Sequence, residues 1–293
     1  MKERHKIIFS IILTLLLIIV VGIFRLPPIS SELKSNYFWL NKFENNQKYD
    51  VVIYGDSRTY RGVNPEIVVK NQNLSAFNYG FTSAGYSTEI FALIDSSIDM
   101  SKKPILILGI TPYSLTVEAS KNLFYHQEKN RSPFDKFRRL NIDNKLSFFD
   151  RIVMEEYFKP NEENVQQEYY DAGWVASTKN KIDTIAGLNS YKTIFENNQV
   201  SDSIITLLMD NISKWTQKGI SVYAFRPPTI ISMEALEDEK SGFNMKEFVN
   251  KINKAGGTWL NIKNGDYISY DGSHLQKKSA IKLSKTIRKL IFE

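Results

Sequence analysis

Cysteine is absent from the 293 residues, so neither a disulfide nor a thiolate-bound metal is possible. Histidine is scarce, at three residues. His5 precedes a hydrophobic N-terminal run, His126 lies in a polar middle region, and His274 stands near the end. There is no repeat of solenoid length. There is also no basic run or glycine-aromatic signature of the nucleic-acid-binding kind, which argues against a nucleic-acid partner. The formal charge of +6 instead suits anionic envelope polymers or lipid headgroups.

Long apolar runs are missing with one exception. From Ile7 to Phe24 the chain carries no charge and is dominated by Ile, Leu and Val. At about 1.5 Å per residue this makes a helix of about 27 Å, close to the hydrocarbon thickness of a bilayer. Lys2, Arg4 and Lys6 flank it and place the N-terminus on the cytoplasmic side. A cleaved signal peptide is the rival reading, but no Ala-x-Ala-like site follows, and Arg25-Leu26-Pro27-Pro28 ends the helix instead. The organisation expected is a cytoplasmic tail and transmembrane anchor over 1–28, a stalk over 29–49, and one extracytoplasmic domain over 50–293, single-pass at the cell membrane.

The domain reads as α/β. Val51-Val52-Ile53 is β-branched and apolar without helical spacing, which marks a buried strand. Further strands are expected near 74–79, 104–109, 220–225 and 258–262. Helices are expected near 64–70, 87–99, 204–217, 245–254 and 275–291. Pro104 to Gly109 is apolar on both faces, as in a parallel sheet covered on both sides. Strands alternating with helices imply parallel pairing and right-handed crossovers.

Two short blocks carry chemistry. Gly55-Asp56-Ser57 follows the first strand, so Ser57 sits where open α/β sheets place their ligands. Gly, Asp and Ser are also ordinary turn residues. Asp271-Gly272-Ser273-His274 precedes the last amphipathic run. A reacting serine needs a base, and the base needs a carboxylate to orient it. The three-residue spacing lets Asp271 accept from one imidazole nitrogen while the other faces a serine. A helix-capping Asp271 with a surface His274 is the plainer alternative.

These blocks resemble those of the SGNH or GDSL-type esterases and acyltransferases, over roughly residues 50–110 and 215–293. The resemblance implies a three-layer α/β/α, flavodoxin-like fold with Ser57 as nucleophile, His274 as base and Asp271 as its orienter. It also implies an oxyanion hole built from the N–H groups of Ser57 and Gly80, and needs neither a metal nor an organic cofactor. The family's Gly-x-Asn-Asp block is missing: after the third strand the chain reads Leu108-Gly109-Ile110-Thr111-Pro112-Tyr113. Anchored members with a degenerate third block look similar to the extracytoplasmic partners of multi-spanning membrane O-acyltransferases, including those of teichoic-acid D-alanylation.

Residues 112–200 interrupt the α/β rhythm and are rich in aromatics, which suggests a helical insertion capping the site rim. Trp174 or the Tyr169-Tyr170 pair is placed to stack on a sugar, or else to form the cap's own core. Arg58, Arg226 and Thr111 share the carboxyl edge with Ser57. They are candidate substrate contacts, and the arginines are equally suited to bracing the loops through acids. The activity expected is serine-dependent O-acylation of an envelope polysaccharide. A de-acylating esterase acting on a carbohydrate or lipid ester is the second reading, and a non-catalytic glycan-binding or assembly protein the third.

Overall fold

The computed structural model describes residues 2–24, 31–143 and 165–293. The helix end expected at Arg25–Pro28 lies outside them, as do the cap aromatics Phe148, Phe149, Tyr157 and Phe158. The chain divides into two compact units, one of residues 1–41 and 130–161, the other of residues 42–129 and 162–293.

The described residues of the first unit are mostly helical. Lys2–Phe24 forms one helix, and from Ile7 to Val20 its apolar side chains are exposed, Ile7 at 60% and Phe9 at 66%. The expected membrane-spanning helix is met in its secondary structure only. Among the described residues no helix is long and apolar enough to cross a membrane. Lys2, Glu3, Arg4 and Lys6 take up its first turns. The uncharged stretch whose side chains are described, Ile7 to Val20, spans about 21 Å against the ~30 Å of hydrocarbon. Most of the expected stalk is also a helix, Ser31–Glu44. Within this unit Arg139 donates to Asn36 at 2.8 Å.

The second unit is built on a five-stranded, all-parallel sheet. Its strands are β1 (Val51–Tyr54), β2 (Ala76–Asn78), β3 (Ile105–Gly109), β6 (Ser221–Phe225) and β7 (Thr258–Trp259), in the order β2-β1-β3-β6-β7. β1 and β3 are buried at every position, as their unbroken apolar runs require when helices cover both faces. On one face Val51, Ile53, Ile105, Ile107 and Phe225 pack with Leu283 and Ile287 of the C-terminal helix Lys277–Phe292. The helices Thr88–Ser97 and Asp202–Gln217 are joined by Trp215, whose indole donates to Asp95 at 2.6 Å and meets Phe91 edge-on.

The strand order fixes where a ligand would go. The chain leaves β1 for β2 on one side, then crosses back to β3 on the other. The crevice between the carboxyl ends of β1 and β3 is therefore the topological switch point of the sheet. Gly55 and Gly109 close those two strands, and at each a Cβ would run into the Thr59 side chain. Only glycine lets the chain after β1 turn that tightly against β3.

The expected cap over 112–200 is divided between the units. Residues 130–161 belong to the first, while the flanking stretches belong to the sheet-containing unit. There β4 (Gln166–Tyr169) and β5 (Val175–Thr178) form an antiparallel hairpin. Trp174 and Ala176 of this hairpin enter the main core.

Candidate active site

Ser57 is the first residue of a six-residue helix, Ser57–Gly62. Asp56 caps that helix by accepting from the Arg58 N–H at 3.0 Å. Its other oxygen accepts from the Thr111 hydroxyl at 2.6 Å, tying the chain after β1 to the chain after β3. Burial pushes the Asp56 carboxyl up, opposed by the Arg58 charge and the Thr111 bond. This aspartate fixes the turn that presents Ser57.

The second half of the site is the loop between β7 and the C-terminal helix. Tyr270 N–H donates to His274 O at 3.0 Å, and Gln276 N–H donates to Ile268 O at 2.9 Å, closing residues 268–276 into a tight hairpin-like turn. Gly272 takes the left-handed conformation, with φ of 90°, that the turn between Asp271 and His274 needs. The Asp271 Oδ1 atom accepts from the backbone N–H groups of Ser273 at 2.9 Å and His274 at 2.7 Å. The carboxylate is thus locked to its own loop before it meets the imidazole.

The two halves meet. His274 Nε2 lies 2.8 Å from Ser57 Oγ, and His274 Nδ1 lies 2.7 Å from Asp271 Oδ2. Ser273 Oγ is 2.9 Å from the same Nδ1, beside the carboxylate. Tyr270 stacks on the imidazole, with ring centroids 5.8 Å apart and planes 16° apart. Its hydroxyl accepts from Arg61 at 2.5 Å. Ser57, His274 and Asp271 all keep partial exposure.

The electrostatics suit a neutral base. Burial lowers the His274 pKa; the Asp271 carboxylate opposes that, and the charges of Arg61 and Arg58 add to it. The hydrogen bonds and charge of His274, with the backbone N–H groups of the loop, outweigh burial at Asp271 and hold it well below the ordinary carboxylate range. At neutral pH the pair is therefore carboxylate and neutral imidazole. With Asp271 accepting from Nδ1–H, Nε2 is left to take a proton from Ser57.

The other expected site residues are placed differently. The Gly80 N–H donates to Asn78 Oδ1 at 2.9 Å, so it is already engaged rather than free for an oxyanion. The Ser57 N–H, at the open end of its helix, has no partner among the described residues. Thr111 is fully buried and serves Asp56 and the turn to Ser114, not a substrate. Trp174 is buried with its indole donating to Arg61 O at 2.9 Å, so it is no sugar platform.

Arg58 and Arg226 are 2% and 7% exposed, and both are spent on acids. Arg58 binds Glu237 through both terminal nitrogens, at 3.2 and 2.6 Å. Arg226 meets Glu237 at 2.9 Å and Asp238 at 2.8 Å. The bracing role, not the substrate-holding role, is the one their geometry fits. His126 faces Glu89 at 3.2 Å.

Several participants gave little sign in the sequence. Ser273 and Tyr270 lie inside the Tyr-Asp-Gly-Ser-His stretch, and adjacency to His274 was the available clue. Arg61 is the exception: it stands beside Ser57 in the sequence, four residues on, and on the same helix. Glu237 and Asn78 carried no signal. Asn78 donates to Thr59 O at 3.1 Å and to Val63 O at 2.9 Å, gripping the carboxyl end of the nucleophile helix. Among the described residues no cluster of three His, Asp or Glu side chains could hold a metal.

No family model and no curated protein matches the sequence. Among solved structures, the chain is similar to "a putative lipolytic protein of G-D-S-L family" from Desulfitobacterium hafniense DCB-2. The TM-score is 0.40 and the identity 9%, over 84% of this chain and 100% of the other.

Proposed function

We propose that the chain is a serine-dependent acyl-transferring enzyme of the SGNH or GDSL type, working through an acyl-enzyme on Ser57. The observation that carries this reading is the continuous contact of Ser57 with His274 at 2.8 Å and of His274 with Asp271 at 2.7 Å. His274 takes the hydroxyl proton as Ser57 attacks an ester carbonyl. Asp271 stabilises the imidazolium that forms. The proton then passes to the departing alkoxide, leaving the acyl group on Ser57 Oγ. General-base assistance of this kind is worth about a hundredfold to ten-thousandfold. The Ser57 N–H is the oxyanion donor in this scheme. Gly80 joins it only by giving up Asn78.

The acceptor we propose is a hydroxyl of an envelope polysaccharide, which makes the reaction O-acylation at the cell surface. Lys2, Arg4 and Lys6 ahead of the uncharged Ile7–Phe24 run support an anchor with a cytoplasmic N-terminus. A helix apolar on every side is at home in a membrane or a core. A multi-spanning membrane O-acyltransferase is the partner this arrangement suits, as donor of the acyl group. De-acylation by water is the second reading. It is favoured by the sealing of Trp174 inside the core and the pairing of Arg58 and Arg226 with acids, which removes the expected sugar and anion contacts but costs hydrolysis nothing.

A fluorophosphonate probe should label the wild-type chain and not Ser57→Ala. Absence of labelling in both would leave the non-catalytic, glycan-binding reading. Loss of acyl groups from the surface polymer on gene deletion marks transfer, and a rise marks the esterase.

A further inference from the structure

The triad joins two segments from opposite ends of the chain, and neither is held by the sheet alone. Both touch one helix, Ile231–Ser241. At its start the Ile230 N–H donates to Gly272 O at 3.2 Å, and Met233 and Ile230 close over Gly272, in the acid and base loop. Two turns later Glu237, with none of its side chain exposed, takes both terminal nitrogens of Arg58, the residue after Ser57. The same carboxylate accepts from Arg226 at the end of β6. A bidentate guanidinium–carboxylate pair fixes distance and angle together, and Arg58 is further held over the Tyr191 ring, 4.7 Å from its centroid.

We infer that Glu237 is a positioning residue of the catalytic triad: through Arg58 it sets the nucleophile helix against the loop bearing Asp271 and His274, to which its own helix is bonded. A fully buried carboxylate between two arginines is an expensive way to stabilise a fold, since apolar side chains of similar volume commonly do as well. Its value lies in geometry. It also cancels much of the Arg58 charge, which would otherwise bear on the imidazole. The charged and titratable groups facing His274 are Asp271 and Tyr270 from its own loop, and Arg61, Arg58 and Asp56 from the nucleophile helix and its cap.

The inference rests on the triad reading, and its test separates the two. The full chain is treated with a fluorophosphonate probe and the rate of Ser57 labelling is followed across pH. If the wild type does not label, both readings fall. If it labels, Glu237→Gln should react tenfold to a hundredfold more slowly, the scale set by small misplacements of reacting groups. Its acid midpoint should move to lower pH, and Glu237→Asp should recover part of the rate.

An unchanged rate and midpoint in folded Glu237→Gln overturns the inference. Because that variant leaves two buried cations short of a counter-charge, Arg58→Met/Glu237→Met is the second arm, replacing the pair with apolar side chains. A folded double variant, judged by its thermal melt, that labels tenfold more slowly or worse supports positioning. One that labels at the wild-type rate shows a fold brace only, and overturns it.

Discussion

Gly187 lies directly against the backbone carbonyl of Asp271. It belongs to the helix Ile185–Glu196, and a Cβ built on it would fall on that oxygen. The carbonyl is backbone, so it cannot swing aside as a flexible side chain could. Gly187→Ala must therefore push the helix or the acid loop. Overpacking of this kind costs about 1–3 kcal/mol, and a shift of the loop carries Asp271 and His274 with it. The expected result is a lowered melting temperature together with slower probe labelling of Ser57. A variant that loses stability but labels at the wild-type rate would show that the helix yields and the loop does not.

Asp271→Asn keeps the size and one acceptor oxygen, so the bonds from the Ser273 and His274 N–H groups survive. What it loses is the charge and the certainty that Nδ1 carries the proton. An amide nitrogen facing Nδ1 favours the tautomer that leaves Nε2–H pointing at Ser57, which cannot accept the serine proton. Turnover of p-nitrophenyl acetate should fall on the order of 10³–10⁴-fold, with little change in the melting temperature. A drop under tenfold would mean Ser273, 2.9 Å from Nδ1, orients the ring without help.

Asn78 is the hinge between the second strand and the nucleophile helix. Its side chain makes three buried bonds, to Thr59 O, Val63 O and the Gly80 N–H. Asn78→Ala removes all three; Thr59 O keeps the Val63 N–H, but Val63 O and the Gly80 N–H are stranded away from water. At about 1–3 kcal/mol for a buried polar group left unsatisfied, the loss should reach several kcal/mol in chemical denaturation. The same change frees the Gly80 N–H. If that N–H is an oxyanion donor held in reserve, the folded fraction should label no slower than wild type. If the nucleophile helix depends on Asn78 for its place, the folded fraction should label more slowly.

The parts of the fold legible in the sequence were those fixed by local pattern. Val51-Val52-Ile53 and Ile105–Gly109 read as strands because burial on both faces leaves an unbroken apolar run. Gly55-Asp56-Ser57 read as a site because strand, glycine and short polar residues adjoin. Other features are set by partners far away in the chain. Arg58 has the same side chain whether it holds a substrate or Glu237, 179 residues on. Trp174 reads either as a sugar platform or as part of the cap's own core, and only the hairpin of β4 and β5 carries it into the main core. The helix Ser57–Gly62, with Thr59, Tyr60 and a closing glycine, has weak propensity of its own. It is held by the Asp56 cap, by Asn78 and by Arg58. The helix Ile231–Ser241 went unforeseen after Pro227-Pro228, because its buried face is made by Met233, Glu237 and Ser241, and a glutamate in that place does not announce itself as buried.

Acid should weaken this protein in two separable ways. Burial, with Arg61 and Arg58, lowers the His274 pKa from its ordinary 6.5. The base is neutral and competent above that lowered value, so the acid limb of the rate profile should have its midpoint below 6.5. In the unfolded chain His274 returns to about 6.5. Below that pH the unfolded state holds more protons than the folded one, and stability falls as the pH drops. Asp271 adds a second loss further down. Its folded pKa is depressed, so its contribution is present above about 3.9 and disappears as pH falls toward the folded value. Urea denaturation at pH 7.5, 6.0 and 5.0 should show a declining midpoint, and His274→Gln should flatten the decline between 7.5 and 5.0. A rate profile with its acid midpoint above 6.5 would mean that Asp271 outweighs burial and the two arginines.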